Sequence, residues 1–325
     1  MGVSVLRKII KLGEKFMRVA IIGGTGFVGQ ALTKLLVSNG YEVFIFTRNK
    51  SLQSNQSIDY HDKQLVKYIY WSAETTNFDI DDLPMFDAVV NLAGESLSSG
   101  RWTSSKKQLI MNSRMKTTKA IVSMLARMSV KPSVLINASA IGFYGTSATN
   151  TFTEQSEVAG NDYLASVVQN WEYEASQAQS LGIRVVYMRF GLILDKQKGA
   201  LPQMLLPYKL FVGGRLGDGQ QWYSWIHIYD VINMIKFAIE NDAIVGVMNV
   251  TAPNPVTMNE FGKTLSSIIN RPHWLPTPAI LLKIMLGEMS ILVLDGQKVI
   301  PEKALNYGFK FKYSRLHEAL VNIFD

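Results

Sequence analysis

Met17-Arg18-Val19-Ala20-Ile21-Ile22-Gly23-Gly24-Thr25-Gly26-Phe27-Val28-Gly29 is the stretch on which the reading of this chain turns. Val19 to Ile22 is an apolar run long enough for one buried parallel strand. Glycines follow at Gly23, Gly26 and Gly29, and Ala31, Leu32, Leu35 and Leu36 then recur at helical spacing. A strand, a glycine-rich turn and a helix in that order suit a phosphate. Gly23 permits the tight turn, Gly26 lets backbone N–H groups approach a pyrophosphate, and Gly29 lets the helix pack close to the strand. The helix N-terminus adds partial positive charge. Thr25, Phe27 and Val28 complete the expected cofactor loop. A tight βα turn that binds nothing would use the same glycines. The second strand, Tyr41 to Thr47 directly after Asn39-Gly40, favours a dinucleotide site.

Strands and helices keep alternating beyond this unit. Asn49 to Asp62 is a polar loop, Lys67 to Trp71 a third strand, and Phe86 to Ala93 a buried strand ending at Gly94. The spacing predicts a helix over Ser104 to Met128, a strand over Val134 to Ala138 ending in Ser139, a helix over Tyr163 to Leu181 and a strand over Ile183 to Phe190. The expected fold is α/β, a Rossmann-type doubly wound parallel sheet. After Leu194, Pro202, Pro207, Gly213-Gly214, Gly217 and Gly219 break the chain into short pieces. Ile228 to Ile239 is again helical and Val247 to Val250 a further strand. The expected division is a sheet domain over residues 17–194 completed by 228–250. Residues 195–227 and 251–325 would then form a smaller C-terminal substrate lobe.

Of the 325 residues, 47% are hydrophobic and 18% charged, which fits a soluble globular protein with a sizeable core. The formal charge of +7 is dispersed, so a solvated basic surface is expected and no nucleic-acid partner. Some of that excess would serve an anionic cofactor. The absence of cysteine excludes disulfides, thiolate catalysis and cysteine-ligated zinc, and suits a cytoplasmic location. The four histidines lack metal-ligand spacing, so no metal is expected. Met1 to Phe16 lacks the apolar core and cleavage site of a signal peptide and reads as a dispensable basic extension rather than a membrane-surface helix. Ala279 to Leu294 is apolar but contains Lys283 and Glu288, so a buried or interfacial helix is expected and no stable membrane insertion. No sequence signal sets the oligomeric state.

The end of the second strand selects between nicotinamide cofactors. An acidic residue there would bond a ribose 2′-hydroxyl; a 2′-phosphate needs a cation instead. The chain reads Phe46-Thr47-Arg48-Asn49-Lys50, with no carboxylate. Arg48 offers a planar fork and Thr47 a hydroxyl, so NADP(H) is expected over NAD(H). A solvated loop arginine is the plainer alternative.

Further motifs carry a resemblance. They are Asn91-Leu92-Ala93-Gly94-Glu95, Arg101-Trp102-Thr103, Ser113-Arg114, Ser139 to Gly145, Trp171-Glu172, Gly217 to His227, Gly287-Glu288 and Gly296 to Pro301. With Gly23 to Gly29, the chain from Met17 onward resembles the atypical or extended short-chain dehydrogenase/reductases. More narrowly it resembles the epimerase family described as NAD-dependent epimerase/dehydratase-like with an extra C-terminal segment. The resemblance implies a Rossmann domain holding NADP(H), with Thr47 and Arg48 at the adenosine phosphate, Leu92, Ala93 and Gly94 lining the cofactor, and Arg114 facing it. From the residues alone, Arg114 would be an ordinary helix-surface arginine.

The same resemblance places a Ser and a Tyr with a Lys four residues later at the reacting centre. Ser139 and Tyr163 match, but Val167 stands where the lysine belongs. A free tyrosine titrates at about 10, so Tyr163 without a cation would donate a proton but make a poor base. Aromatic packing for Tyr163 and backbone capping for Ser139 are the structural alternatives. Tyr223 occupies the position where sugar-nucleotide epimerases carry a phosphate-binding arginine. Trp222, Tyr223 and Trp225 would suit a flat or apolar ligand or pack between lobes. His227 is expected to be structural rather than a substrate contact, and Arg101 either holds an anionic group or has no role. The expected function is an NADP(H)-binding oxidoreductase or epimerase-like enzyme acting on a small molecule that is not a nucleotide sugar. The alternative is a catalytically silent NADP(H)-binding sensor or scaffold.

Overall fold

Val19 and Ile21 are buried on one face of a central sheet, Ala20 and Ile22 on the other. A strand buried on both faces needs helices above and below it, and the chain supplies them. In the computed structural model, residues 16–54, 65–74, 80 and 83–325 are described; the extension before Phe16 and residues 55–62 of the expected loop lie outside them. The sheet comprises β1 (Arg18–Ile22), β2 (Glu42–Thr47), β3 (Val66–Tyr70), β4 (Ala88–Asn91), β5 (Val134–Ala140), β6 (Arg184–Phe190) and β7 (Gly246–Val250). All seven run parallel, in the order β3-β2-β1-β4-β5-β6-β7. The doubly wound parallel sheet expected from the sequence is therefore present.

Helices α1 (Phe27–Ser38) and α5 (Ile228–Glu240) cover one face through Leu32, Leu36, Val231, Met234 and Ile235. Helix α2 (Ser104–Arg127) covers the other through Ile121, Met124 and Leu125. Beside it, α3 (Tyr163–Ser176) packs Ala175 into the same layer and Val167 into a small cluster with Trp102 and Ile110. The predicted helix over Tyr163 to Leu181 tightens into a 3₁₀ turn at Gln177–Leu181, which Gly182 ends in the left-handed conformation.

A second hydrophobic core lies outside the sheet. It joins α4 (Leu201–Lys209), α6 (Met258–Ile268) and α8 (Leu316–Phe324) through Leu201, Leu205, Phe261, Leu265, Leu316 and Leu320. Tyr223 and Trp225 are buried in it, so these two aromatics pack the core and are not free to stack on a ligand. The stretch Ala279 to Leu294 is neither one continuous helix nor buried. It breaks into α7 (Ala279–Leu286), a 3₁₀ turn and a helical turn at Ile291–Leu294, and α7 buries none of its residues. Gly287, with φ +61°, breaks the run after Leu286.

Asp230, in the first turn of α5, ties the end of the chain to the sheet. Its buried carboxylate accepts the backbone N–H groups of Lys312 at 2.9 Å and Tyr313 at 3.0 Å. Asp230→Ala strands both donors and should lower the free energy of urea unfolding by about 2–4 kcal/mol. Asp230→Asn keeps one acceptor oxygen and should lose roughly half as much.

Candidate functional site

The site forms along the carboxyl ends of β1, β2, β4 and β5, where the strand order reverses between β1 and β4. The loop after β1 depends on its glycines. Gly23 has φ +83°, and a Cβ there would sit 2.8 Å from the carbonyl carbon of Leu92 and 2.9 Å from the nitrogen of Ala93. The backbones after β1 and β4 thus touch directly, with no room for a side chain. A Cβ on Gly29 would lie 2.4 Å from the Gly23 carbonyl oxygen, so α1 starts hard against the turn. Gly26 N–H donates to Gly23 at 3.0 Å and closes the loop. No side chain caps the start of α1 and no acid lies in its first turn, which leaves its first N–H groups for an anion. Thr25 and Gly26 are exposed at the tip, Phe27 and Val28 are half-buried, and Gly29 is buried.

Residues after β2 and β4 border this loop. Thr47 is buried and its hydroxyl accepts from Asn49 N–H at 3.1 Å, while Arg48 is exposed. β2 lies next to β1 in register, with Phe46 opposite Ile22, so Thr47 and Arg48 adjoin Gly23 and Gly24. Leu92 and Ala93 are half-buried and Gly94 is exposed. Arg114 reaches Gly94 from α2: a Cβ on Gly94 would come within 3.3 Å of the guanidinium carbon. Arg114 also lies over the Trp171 ring at 4.9 Å and donates to the Ile110 carbonyl at 3.0 Å. Burial pulls its pKa down, and it forms no ion pair within 4.0 Å among the described residues. It is a poorly solvated cation at the rim of the loop.

The two candidate catalytic hydroxyls are not joined. Ser139, at the end of β5, donates to Glu172 Oε1 at 2.6 Å. Tyr163 donates to the Lys107 carbonyl at 2.7 Å and meets the Trp102 ring edge-on at 5.7 Å. Burial pushes the Tyr163 phenol up, and Arg114 pulls it partly back. Val167 is buried against Trp102 and Ile110, so no side chain at that position stands ready to lower the phenol further.

Beneath Ser139 lies a buried ion pair that sequence reasoning missed. Arg189 of β6 grips Glu172 with two hydrogen bonds of 2.8 Å and lies 3.4 Å from the centre of the Phe143 ring. Burial works against the charge of Arg189, but Glu172 outweighs it and holds its pKa above the usual value. The signal was available: Arg189 interrupts the apolar strand Val185 to Phe190, and a charge inside a buried strand needs a partner. A neutral network supports the floor alongside. Asn91 donates to Thr118 at 3.1 Å and to Asn137 at 2.7 Å, and Trp171 donates to Thr118 at 3.1 Å.

Arg101 does not face the loop. Its guanidinium caps the carbonyls of Ile284 and Met285 at the end of α7. Tyr223 is 7% exposed and packs on Phe261. Trp222 is half-buried and donates to the Ala148 carbonyl at 3.0 Å.

Against known proteins, a family model described as "NAD dependent epimerase/dehydratase family" matches residues 19–251. The chain belongs to this family. A second model, "Domain of unknown function (DUF1731)", matches residues 277–323. The epimerase family protein YfhF of Bacillus subtilis is 45% identical over 307 residues, which is 94% of this chain and 98% of that one. An epimerase family protein of Staphylococcus haemolyticus is 44% identical over 305 residues, with the same coverage of 94% and 98%. The crystal structure of human epimerase family protein SDR39U1 with NADPH superposes with a TM-score of 0.82 at 32% identity, covering 94% of this chain and 99% of that one. A UDP-glucuronic acid 4-epimerase from Bacillus cereus superposes at 0.72 with 16% identity over 94% of this chain and 96% of that one, a likeness of fold.

His227 behaves as structure. Its Nδ1 accepts from Tyr229 N–H at 3.0 Å, capping α5, and its ring lies 4.2 Å from that of Tyr313. Burial pushes its pKa down to about 4 from 6.5. Below its ordinary pKa the unfolded chain takes up a proton that folded His227 refuses, so stability falls as pH falls through that window. Between about pH 7.5 and about pH 5 the loss from this group should be about 2 kcal/mol. His227→Asn, which keeps a capping acceptor but does not titrate, should flatten that part of the profile in chemical denaturation.

Proposed function

We propose that this member of the epimerase family binds NADP(H) and carries out oxidoreduction on a small molecule that is not a nucleotide sugar. The observation that carries the cofactor reading is the end of β2. An exposed Arg48 stands beside a glycine loop with no carboxylate at the slot where one would bond a 2′-hydroxyl. The residues fit the group in three ways. Gly23, Gly24 and Gly29 leave no space for a Cβ, the uncapped start of α1 offers N–H groups to a pyrophosphate, and Arg114 supplies a second, less solvated cation. The human relative determined with NADPH, at 32% identity, supports the same reading.

When bound, NADP(H) supplies or accepts the hydride. In this reading Thr47 and Arg48 hold the adenosine end, and Leu92, Ala93 and Gly94 line the wall opposite the glycine loop. Tyr163 acts as a proton donor, because burial raises its phenol and Val167 offers no charge to stabilise a phenolate. Ser139 would orient a carbonyl by rotating away from Glu172. The burial of Tyr223, where an arginine would grip a diphosphate, is the reason a nucleotide sugar is disfavoured. A second reading is an NADP(H) sensor or scaffold without turnover. It is favoured by the engagement of both hydroxyls elsewhere: Ser139 on Glu172 and Tyr163 on the Lys107 carbonyl.

Calorimetry should give NADPH at least about tenfold tighter than NADH, and Arg48→Ala should bring the two within about threefold. Equal wild-type affinities would remove the NADP(H) reading. In an NADPH-absorbance screen of small carbonyl compounds, Tyr163→Phe should slow any turnover by about 100-fold. Tight NADPH binding with no turnover on any compound would select the sensor.

A further inference from the structure

Helix α7 is apolar, and none of its eight residues is buried. Ile280 is 73% exposed and Ile284 68%. These two share one helix stripe, Leu281 and Met285 the next, and exposed Lys283 flanks the first. The apolar surface extends beyond the helix. Trp274 and Leu275 N–H groups both donate to the Gly213 carbonyl, Trp274 Nε1 donates to the Phe211 carbonyl at 2.9 Å, and Thr277 N–H donates to Arg215. These bonds set exposed Leu210 and Phe211 beside exposed Trp274, immediately ahead of Pro278 and α7. Ten of the twenty-one large hydrophobic side chains exposed among the described residues fall within 206–212 and 274–285. That concentration marks an interaction surface rather than scattered surface leucines.

Charge selects the occupant. Residues 196–217 and 261–287 contain no Asp or Glu. They place exposed Lys209, Arg215, Arg271 and Lys283 around the apolar side chains, with Arg271 over the Phe211 ring at 4.7 Å. A second copy docked face to face would set these cations against one another. The N-terminal extension carries Arg7, Lys8, Lys11 and Lys15 against one acid, Glu14, and has the same sign. An apolar, tryptophan-bearing surface ringed by cations matches the headgroup boundary of an anionic bilayer.

We infer that the face formed by α7, Trp274 and Leu210–Phe211 docks this protein reversibly on anionic membrane surfaces. It lies on the bilayer and does not cross it. Among the described residues no helix is long and apolar enough to span a membrane.

The test is co-sedimentation of the full-length protein with vesicles of phosphatidylcholine, alone or with about one-third phosphatidylglycerol. Binding should be at least about tenfold tighter to the anionic vesicles and should weaken several-fold in high salt. The double variant Ile280→Glu/Ile284→Glu should abolish it while leaving the thermal melting temperature and NADPH affinity unchanged. The charge reversal Lys209→Glu/Arg271→Glu should weaken it about tenfold. Absent binding, or equal binding to both vesicle types, would overturn the proposal. So would binding that survives the Ile280/Ile284 change and is lost with Ile9→Glu/Ile10→Glu, which would assign it to the extension. Finding no vesicle binding but a dimer that Ile280→Glu/Ile284→Glu dissociates would assign the face to a second copy.

Discussion

Two backbones that touch govern this molecule. The turn after β1 and the strand end of β4 approach so closely at Gly23 that a single methyl group would strike Leu92 and Ala93. Glycine is required there twice over, once for its positive φ and once for the contact. The contact forms at the point where the sheet changes direction, so it sets the floor of the crevice that such sheets use for ligands. Gly29, in the first turn of α1, repeats the constraint by bringing the helix onto the Gly23 carbonyl. The exposed tip at Thr25 and Gly26, the uncapped helix start and the neighbouring Arg48 take their positions from these two contacts.

The second governing feature is electrostatic. Arg189 and Glu172 are nearly removed from water, with side-chain exposures of 3% and 12%. A buried pair of this kind contributes little net stability, but removing one partner is costly, typically about 3–5 kcal/mol. Its value is geometric. Arg189 holds Glu172 on α3 and stacks on Phe143 in the turn after β5, so strand, turn and helix share one anchor. Ser139 is bonded to that anchor, and its hydroxyl direction is set from below.

The sheet was legible because its signals are local. Each parallel strand is a short apolar run, and each covering helix repeats its apolar residues at helical spacing. The Gly-Gly-Thr-Gly turn announces itself within seven residues. Interactions made by distant residues were not legible. Arg101 read as either an anion ligand or a loop arginine with no role, and it serves as a helix cap for residues about 180 positions later. Tyr223 and Trp225 read equally as a stacking platform or as packing, and they fill a core with Phe261 and Leu320. The aromatic segment gave a composition without a direction, and burial decides its meaning. Ala279 to Leu294 shows the converse: apolar composition predicted one buried or interfacial helix, but the run is broken at Gly287 and none of α7 is buried, which removes the buried alternative.

The chain enters the second core before it has finished the sheet. Residues 195–227 separate β6 from the segment that carries α5 and β7. During synthesis from the N-terminus, β6 must therefore wait with an open edge while residues 191–245 emerge ahead of β7. An unpaired apolar edge is the hazard that favours strand exchange and aggregation. The interleaved topology thus leaves β6 without its second neighbour from the translation of Phe190 until Gly246–Val250 has emerged.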